Sequence, residues 1–115
     1  MAKILVILLT GKENISREMV AFNFAINAVR NARATVEFMF LGRGVQAANR
    51  KQKNSSQFLE QIEEMKKAGI PVKICRVSME GEGLTEDDIF PGIEMVLGGV
   101  ETNARIEEGY SVITF

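Results

Sequence analysis

Pro71-Val72-Lys73-Ile74-Cys75-Arg76-Val77-Ser78-Met79-Glu80-Gly81-Glu82-Gly83-Leu84 is the stretch on which the chain is organised. Val72 to Val77 reads as a buried strand, and from Met79 the chain breaks into a Gly-rich, acidic turn. Gly69 suits the left-handed cap of the helix before it, and Pro71 stops that helix from continuing. The one cysteine, Cys75, falls near the end of the strand. In open α/β sheets ligands bind outside the C-terminal ends of the strands. A helix starting near Ser78 would aim its free N–H groups at the thiol. Those groups and the adjacent Arg76 would favour the thiolate, the reactive form. The competing reading is a small buried hydrophobe, since free cysteine is among the most buried residue types.

Upstream, Ile4 to Leu9 is apolar on both faces, as in a strand buried in a parallel sheet. Asn14 or Ser16 can cap a helix from about Ser16 to Ala32, whose apolar stripe is Ile15, Met19, Phe22, Ile26 and Val29. Thr35 to Leu41 is a second strand, closed by Gly42-Arg43-Gly44. Val45 to Ala48 starts a short helix, and Asn49 to Asn54 reads as an exposed, mobile basic loop. Asn54, Ser55 or Ser56 caps a helix with Phe58, Ile62 and Met65 on its apolar face and a Glu63–Lys67 pair outside. Downstream, Thr85 caps a turn reaching Asp88, Ile93 to Leu97 is a fourth strand, Val100 to Glu108 a weak helix, and Tyr110 to Phe115 a last strand. This order, β-α-β-α-β-(α)-β-α-β, predicts an α/β fold with a parallel sheet and helices on both faces. A chain of 115 residues is expected to form one domain, residues 1–115.

Composition excludes more than it proposes. The chain has no histidine, which removes Ser-His-Asp and Cys-His catalysis and His-ligated zinc. A single cysteine allows no internal disulfide and no Cys-x-x-Cys pair, and it suits a reducing compartment. The net charge of -1 argues against a dedicated nucleic-acid binder. The run Ile4 to Leu9 is too short for a signal-peptide core or a membrane span, so the expected location is cytoplasmic. No metal or other cofactor is expected. The acidic residues Glu80, Glu82, Glu86, Asp87 and Asp88 lack the spacing of an EF-hand loop and read as a solvated segment.

Thr10-Gly11-Lys12 and Gly42-Arg43-Gly44 follow the first two strands and fall on the same sheet edge as Cys75. Backbone N–H groups with a basic side chain there could hold an anion. Neither segment is a Walker loop or a dinucleotide fingerprint, and ordinary βα turns explain them as well.

Taken together, four segments resemble the DsrE/DsrF-like family, the DsrEFH-like proteins of sulfur relay and sulfur oxidation. They are the opening strand with its Thr10-Gly11 turn and long helix, Phe38 to Val45, Gly69 to Cys75 followed by Gly83, and Gly92 to Val96. The resemblance implies a three-layer α/β/α fold with a five-stranded, mainly parallel sheet. It implies homo-oligomers, trimers or paired trimers forming hexamers, or hetero-hexamers in the sulfur-relay branch. In that branch the matching cysteine carries sulfur as a persulfide, and here only Cys75 matches. Met79, Glu80 and Glu82 depart from the small residues and arginine common after that cysteine, and an acidic loop there would raise the thiol's pKa. Arg43 stands where the family commonly has an acidic residue.

The resulting expectation is a sulfur carrier working through Cys75 with donor and acceptor proteins, the anion held by Arg76, Lys12 and helix N–H groups. The alternative is a non-catalytic oligomeric binding or scaffold module with its ligand or partner at the C-terminal edge of the sheet. A third reading is an anion- or nucleotide-binding subunit using Gly11, Lys12 and Gly42 to Gly44. Phe90, Ile93 and Val100 are the apolar candidates for contacts between copies.

Overall fold

Side chains alternate between the two sides of a strand, and in this protein the two sides carry different chemistry. The computed structural model describes residues 1–115. The strands are β1 (Lys3–Leu8), β2 (Thr35–Phe40), β3 (Val72–Cys75), β4 (Glu94–Val96) and β5 (Ser111–Thr114). The α-helices are α1 (Ile15–Ala32), α2 (Ser55–Lys67), α3 (Arg76–Gly81) and α4 (Gly98–Glu107). The sheet has five strands in the order β4-β3-β2-β1-β5. Every pairing is parallel.

The first face is hydrophobic. Val6, Leu8, Phe38, Phe40, Val72 and Ile74 join Phe22 and Ile26 of α1 and Phe58, Ile62 and Met65 of α2 in one core. Phe22 is its centre, with ring centroids 5.4, 6.2 and 6.1 Å from Phe38, Phe40 and Phe58. Gly44 closes the end of β2, and no side chain fits there: a Cβ would stand 1.9 Å from the Leu8 carbonyl oxygen.

The second face has a small apolar cluster, Leu5, Ile7 and Met39. Beside it lie Glu37 and Lys73, each 7% exposed. α4 covers this side. Lys73 donates to Glu37 at 2.7 Å and also to Glu101 of α4. Arg105 of α4 donates to Glu37 at 3.1 Å, and the Tyr110 hydroxyl donates to the same Glu37 oxygen at 3.3 Å. Burial pushes the Glu37 carboxyl up, but Lys73 and Arg105 outweigh it and hold it below the ordinary range.

Several boundaries differ from the sequence reading. β3 ends at Cys75 rather than Val77, because α3 begins at Arg76 rather than near Ser78. Asn49 to Asn54 is not a free loop. Asn49 bridges to Ile89, the Arg50 N–H donates to the Asp88 carbonyl at 2.8 Å, and Lys51 pairs with Asp88 at 2.8 Å. The acidic segment is therefore partly neutralised by the basic one. Lys51 and the Thr85 N–H together pull the Asp88 carboxyl down to about 2. The Thr85–Asp88 turn forms as expected, with the Thr85 N–H and hydroxyl both donating to Asp88. Asn14 caps α1 by accepting from the Arg17 N–H. Lys67 reaches Glu64 rather than Glu63, drawn by a carboxylate that also binds Arg30. Phe90 and Ile93 are buried in the main core, at 6% and 8% exposure, and so offer no surface to another copy.

Glu18 is the one acidic group on the core-facing stripe of α1. It is 1% exposed, and its Oε1 has no hydrogen-bond partner. Burial, with a contribution from Glu13, raises it from the ordinary 4.5 to about 8. The folded protein thus holds it protonated at neutral pH, while the unfolded chain releases that proton above pH 4.5. Stability therefore falls as pH rises between these values, on the order of 3 kcal/mol by neutral pH. Glu18→Gln, which copies the neutral acid, is expected to raise the denaturation midpoint at pH 8 and leave it nearly unchanged at pH 4. Urea melts at the two pH values check this.

Candidate functional site at the C-terminal edge of the sheet

The site is built where β3 turns into α3. Cys75 is extended backbone at the N-cap of α3, and its side chain makes no capping bond to that helix. By the alternation along β3 it shares the second face with Lys73, and its partner in β4 is Val96. Immediately after β4, α4 starts at Gly98. Here the glycine permits a close approach: a Cβ would stand 3.1 Å from the Cys75 sulfur and 2.8 Å from Leu41 Cδ1, so both side chains would have to give.

The groups acting on the thiol do so as nearby dipoles, without a capping bond to the sulfur. Burial pushes the thiol up. The Ser78 hydroxyl and the N–H groups of Ser78, Gly98 and Val77 more than offset this, and the net direction is downward. Glu80 and Glu82 are exposed and are not among the groups acting most strongly on the thiol, so the net direction is not the upward one expected from an acidic segment. Ser78 is itself oriented: the Gly42 N–H donates to its Oγ at 2.8 Å. With that lone pair occupied, the Ser78 proton is free to point at the sulfur. Gly42 thereby orients, from the end of β2, the serine whose hydroxyl acts on the thiol.

Cys75 is 4% exposed. Around this edge stand apolar side chains in the open: Leu9 at 43%, Val77 at 63%, Leu97 at 52% and Val100 at 67% exposure. The thiol itself is covered, and it is held by dipoles rather than by a full charge.

The other expected site residues are placed elsewhere. Arg76 is exposed and lines a separate depression with Met79, Glu80, Leu84, Thr85 and Glu86. It is not among the groups acting most strongly on the thiol. Lys12 lies with Gly11, Glu13, Arg43, Gln46 and Glu82 in a cleft of about 350 Å³. There two cations face two carboxylates. The Gly11 N–H already donates to Glu13 at 3.0 Å, so it is not free for an anion. Thr10 is buried at 7% exposure, and Gly44 is packed on Leu8. Of the Gly42-Arg43-Gly44 turn, only Gly42 reaches the thiol, through Ser78. No group of three or more His, Cys, Asp or Glu side chains is arranged to hold a metal. No helix is long and apolar enough to cross a membrane.

The model of the DsrE/DsrF-like family matches residues 2–115. The chain belongs to that family. Its DsrE-like architecture is shared with solved structures, three of which illustrate the likeness. One is a protein of unknown function, MTH1491, from Methanobacterium thermoautotrophicum, with TM-score 0.82, 18% identity and full coverage of both chains. Another is the ychN protein of E. coli, with TM-score 0.79, 19% identity and full coverage of both chains. The third is a conserved protein of unknown function, BT1422, from Bacteroides thetaiotaomicron, with TM-score 0.75 and 22% identity over 98% of this chain and 94% of that one. At these identities the likeness is one of fold. No curated protein matches the chain.

Ser78 and Gly98 were not singled out from the sequence. Ser78 was findable, since a serine three residues after an N-cap position faces back to it. Gly98 was not, because its role comes from the β3–β4 register. Ser78→Ala removes the hydroxyl from a thiolate that it stabilises. A hydrogen bond to a charged group is worth about 1.5–3 kcal/mol, so iodoacetamide alkylation of the folded variant at neutral pH is expected to slow by about tenfold or more. Gly98→Ala, which drives a methyl at the sulfur, is expected to do the same. Alkylation rates measured against pH check both.

Proposed function

We propose that this DsrE/DsrF-like protein is a sulfur carrier that holds sulfane sulfur on Cys75. The observation carrying the reading is a cysteine at the C-terminal edge of the sheet, packed against Gly98, whose burial is outweighed by nearby donors so that its pKa lies below the ordinary thiol value. The family supports it, and the chemistry needs no histidine. The Cys75 thiolate attacks the outer sulfur of a donor persulfide. The new Cys75 S–S bond forms as the donor's S–S bond breaks, and the donor thiolate leaves. An acceptor thiolate then attacks the outer sulfur on Cys75 and releases the Cys75 thiolate. Two electrons move with each bond, and no outside oxidant or reductant enters. The Ser78 hydroxyl and the Gly98 N–H act on the anion at both ends of this cycle. The apolar rim of Leu9, Val77, Leu97 and Val100 gives donor and acceptor proteins, or further copies of this chain in a trimer or hexamer, a surface to cover.

A second reading is favoured by one observation, the 4% exposure of Cys75. A thiol this covered fits a non-catalytic oligomeric module whose rim binds a partner. The two readings separate on loading. After incubation with polysulfide, the carrier is expected to gain one sulfur mass that a reducing wash removes, and Cys75→Ser is expected to gain none. Intact mass spectrometry of both proteins decides; an unloaded wild type, or a loaded Cys75→Ser, sinks the carrier.

A further inference from the structure

α4 has almost no apolar face of its own. Its buried residue is Gly98, and its Val100 and Ile106 are 67% and 53% exposed. Apolar packing therefore does little to keep it on the sheet, and its attachment is ionic. Glu101 accepts from Lys73 of β3, and Arg105 binds Glu37 of β2 at 3.1 Å. Lys73 cannot swing away from Glu101, because Glu37 holds the same ammonium at 2.7 Å.

The same two elements carry the thiol site. Cys75 lies two residues past Lys73 on β3, and Gly98 lies three residues before Glu101 on α4. Both spans run through regular backbone, about 6.6 Å along the strand and about 4.5 Å along the helix. Fixing Lys73 against Glu101 therefore fixes Cys75 against Gly98. The fit there is tight enough that a Cβ on Gly98 would stand 3.1 Å from the sulfur.

We propose that the Lys73–Glu101 ion pair is a positioning tie that seats α4 on the sheet and so keeps the Gly98 N–H against the Cys75 sulfur. Neither residue touches the sulfur; both act through Gly98. The inference builds on Cys75 as the working thiol, but its measurement does not depend on sulfur transfer.

The test is the ionisation of Cys75 followed by thiolate absorbance against pH, in wild type, Glu101→Gln and Glu108→Ala. Glu101→Gln leaves Lys73 paired with Glu37, so no buried cation is stranded and the fold is expected to persist. Its thiol midpoint is expected to move upward, with roughly threefold less thiolate at a fixed pH below the midpoint. The Glu108 side chain pairs with Arg105 just past the end of α4, and its only bond to the sheet is a backbone carbonyl accepting from Lys3, which an alanine keeps. Glu108→Ala is expected to titrate as wild type. A folded Glu101→Gln that titrates as wild type overturns the tie, as does an equal shift in Glu108→Ala. If Glu101→Gln melts too low to titrate, Glu101→Asp is read in its place, and an unchanged midpoint there also overturns it. Failure of the wild type to load sulfur, with the midpoint still tracking Glu101, would remove the carrier reading and leave the tie standing.

Discussion

Glu37 is a carboxylate inside the second face of the sheet, and the arrangement of that face depends on it. One oxygen accepts from Lys73 and the other from Arg105 and Tyr110. Glu101 completes a set of two acids and two bases with no net charge. Removing the Glu37 carboxylate, the acid both bases share, would cost about 3–5 kcal/mol, because buried charge loses its partner. Glu37 is held below its ordinary range, so its contribution is present above the unfolded value and lost only as acid protonates it. Lys73 is shifted the other way: burial lowers it, but Glu101 and Glu37 raise it further. Its contribution is lost only as strong base removes the proton. Across the neutral range the set stays intact, and α4 stays in place.

The position of α4 decides what Cys75 is. The first face of the sheet is a sealed aromatic core, and a cysteine there would be inert filler. On the second face the covering is thin and polar, and the thiol meets N–H groups from two helix starts and a hydroxyl that the end of β2 orients. The local field at the sulfur is made by dipoles, which need no counter-charge and no histidine. The cations expected to serve it, Arg76 and Lys12, lie in other depressions.

The fold was legible because its signals are periodic. A continuous apolar run marked β1, the Phe58–Ile62–Met65 spacing marked α2, and Pro71 and Gly69 marked where it stops. Cys75 was legible because it is unique and stands at a strand end. The rest depended on register, which no local pattern carries. Lys73 reads as an ordinary strand lysine until β2 places Glu37 beside it. Gly98 reads as a strand terminator until β4 brings it beside the sulfur. Glu18 reads as a first-turn acid complementing the helix dipole, and its burial depends on how α1 lies on the sheet. Phe90 and Ile93 looked exposed because the segment around them is acidic and Gly-rich, yet the Asn49–Ile89 bridge folds them into the core.

Backbone N–H groups of two separate helices, α3 and α4, act on one sulfur. The measurement closest to that claim is an NMR pH titration following the amide resonances of Val77, Ser78 and Gly98. All three are expected to shift with a single shared midpoint, below the ordinary range of a cysteine thiol, and to lose that transition in Cys75→Ser. A Gly98 amide that does not respond, or a shared midpoint at or above the ordinary thiol range, would contradict it.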